Sequence, residues 1–147
     1  MIRRAAWLWF LAAISACSGG GDTLATVDGR AIETSDKILL VNYWAEWCKP
    51  CREEIPELNH FARDGDNVQV IGINYDRLPA QTIRAQAEKL GIEFPVLAAE
   101  PAGRWGQSLP TVLPTTFVIG ADGQWRRSLV GPQTVESLRA AVEQSRL

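Results

Sequence analysis

Two cysteines separated by two residues, set where an apolar run passes into a helix-like segment, constrain this chain more than any other feature. Trp47-Cys48-Lys49-Pro50-Cys51 follows the run Ile38-Leu39-Leu40-Val41-Asn42-Tyr43-Trp44 and precedes Ile55, Leu58, Phe61 and Ala62 at helical spacing. A run without alternation is the pattern of a central strand buried on both faces. Strand, dithiol and helix in that order place the cysteines at a helix N-terminus. There, unpaired backbone N–H groups and the positive end of the dipole stabilise a thiolate, the form that attacks a disulfide. Lys49 adds a positive charge at the same place, and Pro50 has no N–H to leave unsatisfied in the first turn. Both therefore tune the thiol pKa in this reading.

Other uses of the pair fit less well. A structural zinc site takes about four ligands, and the chain offers Cys17, Cys48, Cys51 and a single histidine, His60. On one helix, Cys51 and His60 would stand roughly 13 Å apart at 1.5 Å per residue, so no metal is expected. A purely structural disulfide would close a very small loop and restrain little chain entropy. Reversible redox chemistry is the reading that remains, with the Cys48–Cys51 disulfide itself as the redox group and no separate cofactor.

The first residues read as an export signal. Arg3 and Arg4 form a charged start, and residues 5–16 are a twelve-residue apolar stretch, short of the roughly 17–25 residues of a membrane span. Ile14-Ser15-Ala16-Cys17 resembles a bacterial lipobox, which implies cleavage before Cys17 and a lipid on its sulfur. The alternative is ordinary cleavage after Ala16 that leaves Cys17 as a free thiol, an awkward odd cysteine in an exported chain. Residues 18–23 form a Gly-rich tether with a reach of about 12–15 Å. The expected organisation is a signal over 1–16, a lipidated cysteine and tether over 17–23, and one domain over 24–147. The expected location is the periplasmic side of a bacterial envelope, lipid-anchored to a membrane, with the leaflet open.

Loss of residues 1–16 leaves thirteen basic against seventeen acidic residues, a net charge of −4 with no basic run. Nucleic-acid binding is therefore not expected. The domain reads as a short hairpin (24–27, turn Asp28-Gly29, 30–32), the central strand, a helix containing Pro56, and a second buried strand over 68–74. A helix over 79–90 follows, with Pro79 near its start and Gly91 past its end. A short strand over 94–97, a brief helix over 102–107, strands over 115–119 and 124–130, and a last helix capped by Thr134 complete the chain. That order indicates an α/β fold, a mixed sheet with helices on both faces.

The stretch from Val41 to Cys51, the helix proline Pro56 and the strand Leu113-Pro114-Thr115-Thr116-Phe117-Val118-Ile119 together resemble the TlpA/ResA-like thiol–disulfide oxidoreductases of the thioredoxin-like superfamily. The resemblance spans residues 24–147 and implies a thioredoxin-like fold with an N-terminal hairpin and a TlpA-type helix–strand insert over 79–97. It implies that Pro114 is a cis-proline facing the dithiol, so that Leu113 presents backbone groups to an extended substrate, and that Trp47 lies at the substrate site. Pro110 is the competing proline, but only Pro114 leads into Thr-Thr-Phe and a β run. Thioredoxin carries an Asp where this chain has Asn42, and an amide accepts no proton from a thiol. Glu54, three residues past Cys51 and one helical turn away, matches the carboxylate that ResA-like proteins place beside the dithiol; its plain alternative is a solvated helix residue, as Glu53 is expected to be.

By position, Cys48 is expected to be the exposed nucleophile and Cys51 the resolving thiol. The resemblance implies reduction of disulfides in exported proteins, apocytochrome c among them, with a membrane thiol reductase as electron donor and membrane attachment through the lipid on Cys17. Alternatives are a disulfide oxidant or isomerase, and a chaperone that grips cysteine-containing chains without turnover. A peroxidase is a poorer match, because a vicinal dithiol differs from the usual peroxidatic site.

Overall fold

The computed structural model describes residues 23–64 and 67–146. Expectations about the signal, Cys17 and the tether up to Asp22 lie outside them. The elements are β1 (Thr23–Ala25), β2 (Ala31–Glu33), β3 (Ile38–Trp44), α1 (Lys49–Asp64), β4 (Val68–Asn74), α2 (Ala80–Leu90), β5 (Thr115–Ile119), β6 (Trp125–Val130) and α3 (Val135–Ser145). The main sheet has the order β4-β3-β5-β6, with β3 parallel to β4 and the other pairs antiparallel. This is the mixed sheet anticipated from the sequence. No helix among the described residues is long and apolar enough to cross a membrane.

All seven residues of β3 are buried, because alternate side chains feed two apolar layers. Ile38 and Leu40 pack with Leu58 and Phe61 of α1 and Leu138, Ala141 and Val142 of α3. Leu39, Val41 and Tyr43 pack on the other face with Leu24, Leu97, Trp105 and Phe117. That second layer contains no helical residue. The hairpin and the loop holding Trp105 cover it, where the element order suggests helices on both faces. Residues 102–105 form turns instead of a brief helix, with Arg104 N–H donating to Pro101 O and Gly106 N–H to Gly103 O. Gly103 and Gly106, both at positive φ, break the helical repeat there.

The expected strand over 94–97 reduces to two bridges, Gly72 with Val96 and Thr26 with Leu97. Pro95 lacks the N–H a ladder needs, yet its carbonyl accepts from Gly72 N–H at 2.8 Å. The segment thereby joins the β1–β2 hairpin to β4. In the hairpin, β1 stops at Ala25, two residues further from the Asp28-Gly29 turn than the sequence suggests, and β2 begins at Ala31, one residue further. Residues between them form a closed loop in which Thr26 N–H donates to Arg30 O at 2.9 Å. The helix ends follow their sequence signals. Gly91 (φ 70°) closes α2, with Ile92 N–H bonded to Ala87 O. Thr134 and Ser137 form a reciprocal capping box at α3.

Gly72 shows how tightly the sheet meets the insert. A Cβ there would lie 3.0 Å from Trp44 Nε1, 3.1 Å from Phe94 and 3.2 Å from Val96. Gly72→Ala is therefore expected to destabilise the fold by about 1–3 kcal/mol through overpacking, measured by urea unfolding; unchanged stability would mean that this contact readily relaxes.

Candidate active site

The chain leaves β3 at Trp44, turns through Ala45-Glu46-Trp47 and enters α1 at Lys49. Cys48 occupies the N-cap position, with Arg52 N–H donating to its carbonyl at 3.3 Å. Cys51 N–H donates to Cys48 Sγ at 3.2 Å. The sulfur thus takes the place of a side-chain oxygen cap, accepting from the backbone of the third helical residue. No acidic residue stands in the first turn to oppose a negative sulfur. Cys48 and Cys51 form a disulfide, with Cα atoms 5.3 Å apart.

Cys48 is 4% exposed and Cys51 1%. The nucleophile is therefore less open than its expected role implies, although the order of accessibility is the anticipated one. Both cysteines lie in an apolar cluster with Trp44, Ala45, Ile83, Ala87 and Val96, which encloses the disulfide. Lys49 Nζ lies 3.7 Å from Glu53 Oε1, both side chains well exposed, so its charge is partly balanced and screened by solvent.

Leu113–Pro114 is the cis peptide bond among the described residues, and Pro110 is not in that form. Pro114 is buried just before β5, and its carbonyl accepts from Gly131 N–H at 2.9 Å. Leu113 packs against the cluster that holds the disulfide. Trp47 is 64% exposed, and its indole N–H donates to Asp76 at 3.0 Å. The large hydrophobic side chains left exposed among the described residues are Trp47, Val112 and Val130. Val112 precedes the cis bond by one residue, and Val130 pairs with Thr115 just after it.

Glu54 is not the solvated residue of the plain reading. It is 1% exposed, on the α1 face that also buries Cys51. Asn42 Nδ2 donates to Glu54 Oε1 at 2.6 Å, and Gln133 N–H donates to Glu54 Oε2 at 3.0 Å. Burial pushes the Glu54 carboxyl up to about 7, against the pull of the Gln133 N–H and then of Asn42. Asn42 uses its second amide hydrogen on Thr116 Oγ1 at 3.0 Å. The strand position that is an acid in thioredoxin thus serves here to hold an acid that comes from the helix. Glu53 is exposed, as anticipated, and His60 lies exposed beside Asp64.

Sequence reasoning does not single out Thr116, Asp76 or the Gln133 backbone. Their partners lie 29 to 79 residues away, and no local spacing marks such contacts. A cavity of about 510 Å³ lies at the far end of the sheet beside Thr34, Trp105 and the 120–124 turn. It contains no cysteine and is not where the dithiol chemistry sits.

The sequence profile of the AhpC/TSA family matches residues 21–128. The chain is 35% identical over 121 residues to a thiol:disulfide interchange protein, CycY, of Rhizobium leguminosarum bv. viciae, covering 80% of this chain and 61% of that protein. It is 30% identical over 117 residues to the thiol-disulfide oxidoreductase ResA of Bacillus thuringiensis, covering 76% and 67% respectively. A crystal structure of a thioredoxin-family thiol:disulfide interchange protein from Chlorobium tepidum superposes with a TM-score of 0.69 at 27% identity, over 85% of this chain and 92% of that one. The chain spans about three fifths of the length of the first of these relatives.

Proposed function

We infer the function from one premise: this chain belongs to the AhpC/TSA family, among its members with a thioredoxin-like fold. On that premise it is a thiol–disulfide oxidoreductase that reduces disulfides in exported proteins. The observation that carries the reading is the cysteine pair itself, with Cys48 Sγ capping the first turn of α1. A thiolate at that position is favoured by the same N–H group and by the helix dipole.

In the reducing direction, the Cys48 thiolate attacks one sulfur of a substrate disulfide, and the other substrate sulfur leaves as a thiolate. Cys51 then loses its proton and attacks Cys48 Sγ. The Cys48–Cys51 disulfide forms, and the second substrate thiolate departs. Two electrons pass to the substrate. Glu54 is the proton acceptor for Cys51 in this scheme, since Asn42 cannot serve. Leu113 and Pro114 hold an extended substrate backbone, and the exposed Trp47, Val112 and Val130 supply the apolar rim on which its side chains rest. Lys49 and Pro50 tune the thiol pKa from the loop.

The reading extends to the envelope. A lipid on Cys17 would tether the domain to a membrane, where a membrane thiol reductase supplies electrons and exported chains, apocytochrome c among them, present their disulfides. Insulin reduction by dithiothreitol tests the activity. The protein is expected to shorten the lag before the insulin B chain precipitates, and Cys48→Ser to abolish that effect. No acceleration by the unaltered protein would leave a module that binds cysteine-containing chains without turnover.

A further inference from the structure

Beside the dithiol, a groove of about 450 Å³ separates the active-site loop from α2 and is lined by Trp47, Asp76, Gln86 and Leu90 among others. A series of side-chain hydrogen bonds crosses its floor. Trp47 Nε1–H donates to Asp76 Oδ2 at 3.0 Å. Asp76 N–H donates to Asn74 Oδ1 at 3.1 Å. Asn74 Nδ2 donates to Gln86 Oε1 at 3.1 Å, and Gln86 Nε2 donates to Glu46 Oε2 at 2.9 Å. Glu46 is bonded through the backbone to Trp47, so the circuit closes on the residue where it began. Lys89 Nζ holds the other Glu46 oxygen at 2.7 Å.

The direction of these bonds admits one arrangement. The backbone N–H of Asp76 only donates, so Asn74 must present its oxygen there and its NH2 to Gln86. Gln86 must then offer its oxygen to Asn74 and its NH2 to Glu46, whose carboxylate only accepts. Turning either amide would set donor against donor or acceptor against acceptor. Asn74 is 2% exposed, so its half of the link is shielded from competing water. Trp47 has little packing of its own at 64% exposure, and its orientation depends on these bonds.

We propose that Gln86 of α2 is a positioning residue for Trp47, fixing the indole at the rim of the dithiol by joining Glu46 on one side to Asn74 and Asp76 on the other. This rests on the reading of Trp47 as part of the substrate rim. The side-chain bonds of Gln86 run to Asn74 and Glu46, and in that reading it does not touch the substrate. The insert helix thereby sets the pose in which an extended substrate chain meets the active-site loop.

Gln86→Met keeps the side-chain length and removes both bonds, while Gln86→Glu keeps the acceptor for Asn74 and sets a second carboxylate against Glu46. Gln86 is half-buried on the helix, so both variants are expected to fold, as circular dichroism would show. Both are expected to shift the Trp47 indole ¹H–¹⁵N resonance and to raise KM for insulin roughly threefold to tenfold with kcat kept, the scale of one hydrogen bond. Reaction with the small disulfide dithiobis-nitrobenzoate should be unaffected. Asp76→Ala should give the same resonance shift, and its KM effect should not add to that of Gln86→Met, because both act through one circuit. An unmoved indole resonance, additive effects, or slowed reaction with the small disulfide would each overturn the proposal. Failure of the unaltered protein to reduce insulin would instead sink the functional reading and leave the resonance test standing.

Discussion

Cys51→Ser is expected to halt the reaction at a covalent complex, with the protein joined through Cys48 to one substrate cysteine. Cys48 caps α1 through its sulfur and is the more exposed of the two residues, at 4% against 1%. It is therefore the sulfur that an incoming disulfide reaches, and the one whose thiolate the helix start favours. Without Cys51 there is no internal thiol to attack Cys48 Sγ, and the mixed disulfide persists. Non-reducing electrophoresis and intact mass should show the adduct with Cys51→Ser and none with Cys48→Ser, while turnover falls to background in both. Trapping through Cys51 instead would reverse the two roles.

The second large effect concerns Glu54. Its carboxyl is raised from the usual carboxylate range to about 7 by burial, so the folded disulfide form holds this proton more tightly than the unfolded chain does. Between the ordinary carboxylate pKa and about 7 the folded state binds more protons, and stability from this group falls as pH rises through that window. The total is on the order of 3 kcal/mol, since each pH unit separating the folded and unfolded pKa values is worth about 1.4 kcal/mol. Glu54→Gln should flatten this slope in denaturant titrations across the window. The network can accept the amide: its oxygen takes the Gln133 N–H, and Asn42 can turn its own oxygen to the new NH2 and to the Thr116 hydroxyl, which then donates. As the proton acceptor for Cys51, Glu54 should also contribute roughly 10²-fold to the resolving step, the lower end of the range for general bases. Its limb near pH 7 should then vanish from the rate profile of the variant. Identical pH–rate profiles would remove Glu54 from the mechanism.

Where local pattern controls the structure, the sequence is legible. The unbroken apolar run is β3, buried along its whole length. Gly91 and Thr134 end and begin helices as their residue types require. The cysteines fall at the start of α1; that Pro114 is the cis residue follows from the family resemblance and not from local pattern. What cannot be read depends on distant contacts. The i+3 spacing places Glu54 on the Cys51 face of the helix, but Asn42 and Gln133, which hold it, come from a strand and from the loop before α3. Trp47 stands within the cysteine motif, whereas Asp76, 29 residues on, carries no local mark as its partner. The region over 98–113 has few apolar residues at any regular period, and the expected helix there gives way to turns that place Trp105 against the sheet.

Whether the pair works as a reductant is decided by the energy of its own disulfide. The direct measurement is the reduction potential of Cys48–Cys51, from equilibration of residues 18–147 with glutathione or dithiothreitol buffers and quantification of the thiol form. The account predicts a value near that of thioredoxin, about −270 mV, at which the dithiol gives its electrons to exported disulfides and must be recharged by a donor. A value near about −120 mV, that of the strong oxidants, would contradict it and make the protein a source of disulfides.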